Sequence, residues 1–588
     1  METFGKGLRD GRGSSATVAA VGRFALRLGA LCLLVLGVAA SSLLAAGPRA
    51  GTSTTGATAT LASTGSTSAL SLTSTFATTT AAPPATTTTS TASSVLAISG
   101  HGWGHGLGLS QWGAYGYAKH GWTYDRILAH YYTGTTLGPA KVSTVRVLLA
   151  QAKTASLTSP GAWTVTDAGG TAVQLDASTV KLTSKLAVAG QTLQPPLTFT
   201  GKQPIAVDGK PYRGKLTVAA AGKLVQVVDV VGLEPYLKGV VPAEMPSTWG
   251  VEALKAQAVA ARSYALANLA KGRDFDLYSD TRDQAYLGVE AESPAASAAV
   301  DATKGQVVLY NGKVADTLFS STSGGRTASA LETTGTAVPY LVSVADPYDT
   351  ASPYHDWGPV LFDAAKVAKQ LKLAGPLDDL QTTAGASGRV QQATAVSSDD
   401  TEAAFTGSQL RSVLGLRSTW FTPTLLTLVP AAKTMTYGGA VSLSGFERGA
   451  DALSLESKQG AAGWAPAGDL TPTADGSWSL VVKPQVSTRY RLVWGNVRAG
   501  LARISVAPRV SGSIVAAGGS GTIRPALAGA AVQLQQQIAG KWTTVAASVT
   551  ATGGAWSFAQ PLATGAYRVR CAPGQSLAAG LSTTFQVP

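Results

Sequence analysis

Cysteine is nearly absent from this chain of 588 residues, and charged residues are scarce. Cys32 lies within an apolar tract and Cys571 lies near the end of the sequence, so we expect no internal disulfide pair and no zinc-finger spacing. Charged residues make up 13% of the chain, and the net charge of +13 is spread too thinly for the dense basic stripe that nucleic acid requires. These absences exclude a disulfide scaffold and argue against nucleic acid as a partner.

The chain is instead rich in small and apolar residues. It is long enough for several domains, and its 45% hydrophobic content is sufficient for packed cores. The 66 glycines, together with the low charge, are typical of β-rich extracellular chains. We therefore expect several β-rich domains whose folding depends on burial alone.

An uncharged tract of 19 residues at 28–46 follows Arg23 and Arg27 and precedes Arg49. This pattern predicts export, either through a cleaved signal peptide or with a retained membrane anchor within residues 1–50. The small residues at 45–47 suit signal peptidase, and the tract is just long enough to span a membrane, so both alternatives stay open. Either way, the positive-inside rule places the remainder in the cell wall or outside the cell, or tethered to the outer face of the cytoplasmic membrane.

Residues 51–94 are almost entirely Thr, Ser, Ala and Gly. A segment without charge and with very few large apolar groups cannot bury enough surface to fold. We expect a disordered spacer here.

Glu244 lies between Pro242 and Pro246, directly before an alanine-rich helical segment. We expect the prolines to hold an extended, stiff loop that aims the carboxylate, as a catalytic acid requires. The alternative is a glutamate that only favours the dipole of the following helix. Apolar neighbours raise the pKa of such a carboxyl and a helix N-terminus lowers it, and the sequence leaves open which effect is larger.

A glycine-rich segment at 100–135 begins GHGWGHGLG. Its glycines allow a bound chain to approach the backbone and Trp103 closely, and sugar rings stack well on tryptophan. His101 and His105 are spaced like metal ligands, but the flanking glycines argue against the helix that would align them, so we favour hydrogen bonds to sugar or packing in a core. Ser110 and Gln111 follow as candidate polar contacts to substrate.

The aromatic residues that follow are interpreted differently. Trp112, Tyr115 and Tyr117 are of a type found more often in cores than on ligand platforms.

Four segments together carry a resemblance to a known family. They are 240–270 with PAEMPSTWGVEALKAQAVAARSYAL, 100–135 with the glycine-histidine pattern, 280–288 with DTRDQAYLG, and 319–327 with FSSTSGGRT. They resemble the stage II sporulation protein D family, which includes the amidase enhancers, over about Ile98 to Phe421. In the sporulation proteins the glycine-histidine segment follows the glutamate segment, whereas here it precedes it, so this chain resembles a rearranged member.

The resemblance implies a peptidoglycan lytic transglycosylase with Glu244 as its acid and base. It also places Gln284 and Tyr286 in the substrate groove. It further implies a loop whose hydroxyls and backbone donors would bind sugar, formed by Ser321, Ser323, Gly324 and Gly325. The alternative for this loop is an ordinary β-turn. Some relatives carry a cysteine that could serve a metal where this chain has Asp283, so no metal or other cofactor is predicted.

The mechanism can be argued from the number of carboxylates. Hydrolytic glycosidases usually need two carboxylates, and Glu234, Glu252 and Asp280 are only weak candidates for the second. A lytic transglycosylase needs one, which fits Glu244 and predicts 1,6-anhydromuramyl ends. The alternatives are a non-catalytic enhancer that binds peptidoglycan and activates a wall amidase, and a wall-anchoring scaffold. The expected partners are peptidoglycan glycan strands and, in the enhancer case, that amidase, with membrane contact only through an N-terminal anchor.

The predicted architecture is an α+β catalytic region followed by two all-β, sandwich-like modules. The catalytic region, residues 95–423, contains a β subdomain at about 140–232 and a long helix after the catalytic loop. Repeated tryptophan pairs and Tyr-Arg strands predict the modules at 424–508 and 509–588. Their tryptophans are more commonly core residues than glycan ligands in such sandwiches.

Overall fold

The computed structural model describes residues 93–270 and 272–588. The predicted signal peptide or anchor at 1–50, and all but the last two residues of the predicted spacer at 51–94, lie outside the described residues. Within the described ranges, no helix combines the length and the apolar character needed to cross a membrane.

The helices of the described residues are concentrated in the first two thirds of the chain. In chain order they are α1 Gln111–Lys119, α2 Tyr124–Tyr131, α3 Leu233–Glu244, α4 Val251–Ala267, α5 Pro294–Ala302, α6 Ala330–Thr334, α7 Ala364–Leu371 and α8 Gly407–Leu414.

Strands predominate everywhere else, and the structure is β-rich as predicted. The strands before residue 407 are β1 Ser93–His101, β2 Leu109–Ser110, β3 Thr136–Pro139, β4 Thr144–Ala152, β5 Ala155–Ser159, β6 Trp163–Thr166, β7 Ala172–Leu175, β8 Ser178–Leu182, β9 Ala187–Val188, β10 Gln191–Thr192, β11 Leu197–Gly201, β12 Ile205–Val207, β13 Lys210–Tyr212, β14 Lys215–Ala221, β15 Leu224–Gly232, β16 Leu277–Tyr278, β17 Gln306–Tyr310, β18 Lys313–Val314, β19 Phe319–Ser320, β20 Asp356–Asp363, β21 Leu377–Ala384, β22 Val390–Ser397 and β23 Glu402–Thr406.

The remaining strands form the C-terminal part. They are β24 Phe421–Pro430, β25 Thr434–Thr436, β26 Val441–Arg448, β27 Leu453–Gln459, β28 Ala465–Leu470, β29 Ser477–Val482, β30 Thr488–Trp494, β31 Val497–Ala507, β32 Arg509–Val515, β33 Gly518–Arg524, β34 Ala531–Ile538, β35 Lys541–Val549, β36 Ala555–Phe558, β37 Gly565–Ala572, β38 Gly580–Leu581 and β39 Phe585–Val587.

The largest core lies between residues 107 and 341 and joins helices to a sheet. A seven-stranded sheet has the order β16-β4-β15-β14-β11-β6-β7, and a four-stranded sheet has the order β13-β12-β5-β8. The strand β15, which pairs with β4 and β14 inside the larger sheet, leads directly into α3, whose N-cap is Gly232. The sheet therefore fixes the start of the helix that carries Glu244.

The backbone around Glu244 differs from the sequence-based prediction. Pro242 lies inside α3, Glu244 is the last helical residue, and Met245 turns to an extended conformation. A proline in the last turn forfeits only one helical hydrogen bond, because the amide of Met245 still donates to the carbonyl of Val241 at 2.9 Å. Burial of apolar residues along α3 outweighs this loss, so the predicted extended loop before Glu244 is wrong.

A second core, which the sequence did not distinguish, joins β1 to residues 357–425. β1 runs antiparallel between β20 and β24, so that Val95 faces Asp363 on one side and Leu426 on the other. The three-stranded sheet β21-β22-β23 and helices α7 and α8 complete this unit. The boundary predicted between residues 423 and 424 falls inside β24.

The C-terminal part contains two β modules with separate cores. The first module packs the sheet β25-β31-β30-β27-β28 against the sheet that contains β24, β26 and β29. The second packs β32-β33-β36 against the sheet formed by β35, β34, β37, β38 and β39. In each predicted tryptophan pair the second residue, Trp478 or Trp556, is buried, while the first, Trp464 or Trp542, is half-buried at the surface.

Candidate functional site

Glu244 lies where three of the four family-like segments meet. Its Oε1 accepts a hydrogen bond from the backbone amide of Ala285 at 2.8 Å. Its Oε2 lies 3.5 Å from Nε2 of Gln111, which donates a long hydrogen bond. Gln111 begins α1 and Ala285 belongs to the segment 280–288, so the rearranged order of the segments still brings all three together.

The environment of Glu244 favours its protonated form. Burial raises the pKa of this carboxyl above its ordinary value, and the hydrogen bonds from Ala285 and Gln111 lower it by less. The neighbouring Tyr236 and Met245 are buried. The question that the sequence left open is therefore answered in favour of a raised pKa, which suits a group that donates a proton.

Half-buried aromatic residues that are close in sequence to Gln111 and Glu244 form a cluster. The ring centroids of Trp112 and Trp249 are 4.7 Å apart, and Tyr115 stacks on Trp249 at 4.8 Å. Trp112 directly follows Gln111, and Trp249 follows Glu244 by five residues. We call Trp112, Tyr115 and Trp249 the aromatic wall. The sequence-based interpretation of Trp112 and Tyr115 as core residues missed it, although Trp249 in PSTW, five residues after Glu244, was a usable signal.

The glycine-histidine residues come before Gln111 in the same segment and lie beside the loop 319–327. Trp103 is 43% exposed, its ring meets Tyr354 edge to face at 4.5 Å, and its backbone forms a bridge to Thr322. His101 pairs with Asp356, with 2.6 Å between Nδ1 and Oδ1. These two residues line a cavity of about 350 Å³.

His105 has a different environment from His101. Its Nδ1 accepts a hydrogen bond from the amide of Leu107 at 3.0 Å. Burial, aided by the charge of Arg411, lowers the pKa of His105 to about 4, so the ring is neutral at pH 7. Within the described residues, no group of three or more His, Cys, Asp or Glu is arranged to hold a metal ion.

The loop 319–327 directs most of its donors inward. The amide of Gly324 donates to Oδ2 of Asp349 at 2.7 Å, and that of Gly325 donates to the same atom at 3.2 Å. The Ser323 hydroxyl donates to Asp346 at 2.7 Å. The interpretation of these donors as sugar ligands is therefore corrected, because Asp346 and Asp349 already accept their hydrogen bonds.

Two neighbouring serines have different positions. The side chain of Ser110 caps α1 by accepting from the amide of Gly113 at 3.1 Å, and it is almost fully buried. Ser321 is half-buried, and its carbonyl accepts from the amide of Trp112 at 3.0 Å. Ser110 therefore has a structural role, whereas Ser321 stays a predicted substrate contact next to the aromatic wall.

Gln284 and Tyr286 are core residues. The Gln284 side chain accepts from the hydroxyl of Tyr236 at 3.0 Å and donates to the carbonyl of Ala261 at 3.2 Å. The Tyr286 hydroxyl donates to Asp229 at 2.9 Å. Both side chains are buried, so the prediction that they contact substrate directly is corrected. They support the segment whose Ala285 amide holds Glu244.

The three carboxylates nominated as a second catalytic group are all paired with cations. Glu234 contacts the buried Arg262 at 2.6 Å. Glu252 contacts Lys255 and Asp280 contacts Arg282, both at 2.8 Å. Glu244 has no such cationic partner among the ion pairs of the described residues.

Asp283, which lies where some relatives carry a cysteine, is a further carboxylate near the site. It accepts from the Tyr264 hydroxyl at 3.1 Å and from the Tyr278 amide at 2.7 Å. Burial raises the pKa of Tyr264, and the negative charges of Asp283, Asp316 and Glu244 raise it further. The Asp283 carboxylate is engaged in this way, and among the described residues it belongs to no group of three or more His, Cys, Asp or Glu, so these residues do not fit the metal that a cysteine could serve in some relatives.

Gln257 is a buried residue of α4 without a hydrogen-bond partner in the described residues for either polar atom of its amide. It lies one turn before Ala261, whose carbonyl accepts from Gln284. A buried amide without partners is costly. We therefore expect a substitution of Gln257 to change the free energy of unfolding.

Comparison with known proteins agrees with this arrangement. The sequence model of the Stage II sporulation protein family matches residues 221–310. The chain is 35% identical over 216 residues to the stage II sporulation protein D of Bacillus subtilis, covering 33% of this chain and 61% of that protein. It is 33% identical over 183 residues to the amidase enhancer of the same organism, covering 31% and 25% respectively.

A third relative is an uncharacterized protein of Brachyspira hyodysenteriae, 40% identical over 151 residues, which are 25% of this chain and 41% of that protein. The chain thus spans between 25% and 61% of the length of these three relatives. Among solved structures, one from a cytokine receptor complex matches 27% of this chain and 94% of its own with a TM-score of 0.17. Residues 221–310, which include Glu244, thus match the stage II sporulation protein family, and the chain is similar to proteins named stage II sporulation protein D and amidase enhancer, the family that its sequence motifs resemble.

Proposed function

We propose that this protein is an exported peptidoglycan lytic transglycosylase that cleaves the bond between N-acetylmuramic acid and N-acetylglucosamine. Its relatives support a function related to the cell wall. The observation that carries the finer proposal is Glu244, a carboxyl with a raised pKa on the same segment as Trp249 of the partly exposed aromatic wall. The carboxylates nominated from the sequence for hydrolysis are held in ion pairs, and Asp283 accepts hydrogen bonds from Tyr264 and Tyr278.

The reaction needs one group that first gives and then takes a proton. Protonated Glu244 donates to the glycosidic oxygen as the bond from C1 of the muramyl residue breaks, and the N-acetylglucosamine chain leaves with a free hydroxyl. The resulting carboxylate removes the proton from the 6-hydroxyl of the same muramyl residue, and that oxygen bonds to C1. The product carries a 1,6-anhydro ring, Glu244 is protonated again, and no water is consumed.

The neighbouring residues supply binding and orientation in this proposal. Gln111 holds one oxygen of Glu244, and the Ala285 amide holds the other, so the carboxyl cannot rotate freely. The aromatic wall offers faces on which sugar rings of the strand can pack. Trp103 and His101 extend the contact surface beyond the segment 319–327.

The second candidate function is a non-catalytic enhancer of an N-acetylmuramoyl-L-alanine amidase. It is favoured by one finding, the similarity to a protein named amidase enhancer. In this case the same groove binds peptidoglycan, and the chemistry belongs to the partner enzyme.

The test compares full-length protein with two variants on purified peptidoglycan sacculi, alone and with an added wall amidase. Glu244→Gln removes the proton and keeps the shape, whereas Glu252→Gln alters an ion-paired glutamate of α4 as a matched control. We expect the unaltered protein and Glu252→Gln to release soluble glycan without amidase, and Glu244→Gln to lose at least about 100-fold of that activity. No release by any form, with increased amidase activity from all three, would favour the enhancer.

A further inference from the structure

The two C-terminal modules repeat a surface pair of tryptophan and arginine. In the first module Cζ of Arg491 lies 4.1 Å from the ring centroid of Trp464. In the second module Cζ of Arg568 lies 4.3 Å from that of Trp542. Each arginine follows a buried tyrosine in a Tyr-Arg strand, so the pairs occupy equivalent places in the repeat. A guanidinium stacked on a ring has a fixed orientation, with its N–H groups directed outward from its edge.

The side chain that accepts a hydrogen bond from the stacked arginine differs between the two modules. In the first module the carboxylate of Glu456 accepts from Arg491, with 2.7 Å between Nη2 and Oε2. In the second module the neighbouring strand supplies Gln535, whose amide oxygen accepts only from Nε of Arg568 at 2.9 Å. We call each stacked pair of tryptophan and arginine a clamp. In the first module a carboxylate of the same chain neutralises the arginine of the clamp, whereas the clamp of the second module has no carboxylate.

The charge of the second module follows the same pattern. Residues 509–588 contain no Asp or Glu and five basic residues, whereas residues 424–508 contain five acidic residues. Arg570 lies two residues after Arg568 on the same strand face and contacts the amide oxygen of Gln533 at 3.2 Å. Two arginines are thus presented about 7 Å apart along one strand, without any acidic partner from their own module.

We propose that this face of the second module, formed by Gln533, Gln535, Trp542, Arg568 and Arg570, binds a carboxylate-bearing polysaccharide. Glu456 in the first module shows which group completes the tryptophan-arginine clamp, namely a carboxylate held by the guanidinium. Gln535 engages Nε of Arg568, so a carboxylate of the polymer binds the Nη groups of this guanidinium, and the next acidic group along the polymer reaches Arg570. The flanking glutamine amides and threonine hydroxyls supply hydrogen bonds to sugar hydroxyls.

Single-stranded nucleic acid fits this face less well. Such binding depends on bases stacking on exposed aromatic faces along a basic groove. Here the one aromatic ring of the face is covered on one side by the guanidinium of Arg568. The clamp therefore favours recognition of carboxylates over stacking of bases.

The test measures binding of full-length protein to immobilised alginate, a polymer of sugar carboxylates, with neutral dextran and oligothymidylate as comparison ligands. We expect alginate to bind, and dextran and oligothymidylate to bind at least about tenfold more weakly. Arg568→Gln and Trp542→Ala should each weaken alginate binding about tenfold. Arg524→Gln removes one exposed positive charge from the other sheet of the module and serves as the matched control, which should leave binding nearly unchanged.

A pair of exchanges between the modules makes the test specific for the clamp. Gln535→Glu gives the second module the arrangement of the first and should abolish the contribution of Arg568, whereas Ser513→Glu adds the same charge on the other sheet and should have a small effect. Glu456→Gln should increase alginate binding by opening the first clamp. Equal losses from Gln535→Glu and Ser513→Glu, or oligothymidylate binding as tight as alginate, would overturn the proposal.

Discussion

Gln111 and Glu244 are 133 residues apart in the sequence, yet Nε2 of the first lies 3.5 Å from Oε2 of the second. Gln111 is the first residue of α1, and Glu244 is the last residue of α3. The contact shows that the glycine-histidine segment and the glutamate segment, which follows it in this chain, meet in space.

This contact predicts a shift in the pH dependence of the proposed activity. The hydrogen bond from Gln111 lowers the pKa of Glu244, so Gln111→Leu should raise that pKa further. Because the protonated carboxyl is the proton donor, the alkaline limb of the pH-rate profile should move to higher pH. Lys119→Ala, at the exposed opposite end of α1, is the control and should leave the profile unchanged. An unmoved limb in Gln111→Leu would show that the contact does not act on Glu244.

The aromatic wall predicts a defect in substrate binding rather than in chemistry. Trp249→Ala removes the ring that contacts both Trp112 and Tyr115, and we expect KM for soluble glycan strands to rise about tenfold, equivalent to about 1.4 kcal/mol, with a smaller change in kcat. Trp494→Ala, in the first C-terminal module, provides a control for loss of a half-buried tryptophan. A loss confined to kcat would contradict a binding role.

Asp229 predicts a pH dependence of stability. Burial raises the pKa of this carboxyl to about 7, although the Tyr286 hydroxyl donates to it. Between about pH 4 and pH 7 the folded protein therefore retains a proton that the unfolded chain releases, so the free energy of unfolding falls as the pH rises.

Asp229→Asn should remove this part of the slope. The melting temperature of the unaltered protein should fall relative to that of the variant from pH 4 to pH 7, as measured by calorimetry in matched buffers. Asp274→Asn, at an exposed position, should leave the slope as it is. Parallel curves for the unaltered protein and Asp229→Asn would contradict the raised pKa.

Gln257 predicts a gain in stability on substitution. Neither polar atom of its buried amide has a partner among the residues that the structure describes, so Gln257→Met should raise the free energy of unfolding by about 1 kcal/mol. Gln284→Met removes a buried amide with two hydrogen bonds and should lower it. The free energy of unfolding of both variants is measured by denaturant titration. A loss of stability in Gln257→Met equal to that in Gln284→Met would mean that the Gln257 amide is also hydrogen-bonded.

The sequence predicted best where local periodicity decides the structure. The spacing of apolar residues in GWTYDRILAHYYTGT predicts a helix that buries Ile127, Leu128 and Tyr131, and α2 buries these three. The segment TGSQLRSVLG predicts a helix that stops at Gly415, and α8 ends at this left-handed glycine. The apolar run LVQVVDVVG predicts a strand that leads to the glutamate segment, and β15 is that strand.

Long-range partners decided the features that sequence could not predict. The donors of Ser323 and Gly324 are taken by Asp346 and Asp349, which lie more than 20 residues further along the chain. β1 pairs with strands more than 250 residues away, which hid the second core. Around Glu244, the local preference of proline for extended neighbours gave way to burial of α3.

The most direct test of the central claim is the mass of the new glycan ends formed by full-length protein on intact and peptide-free peptidoglycan strands. We predict muramyl ends lighter by one water than hydrolytic ends, formed by the unaltered protein and absent with Glu244→Gln. Hydrated ends, or anhydro ends formed equally by Glu244→Gln, would contradict the assignment of Glu244 as the single acid and base of a lytic transglycosylase.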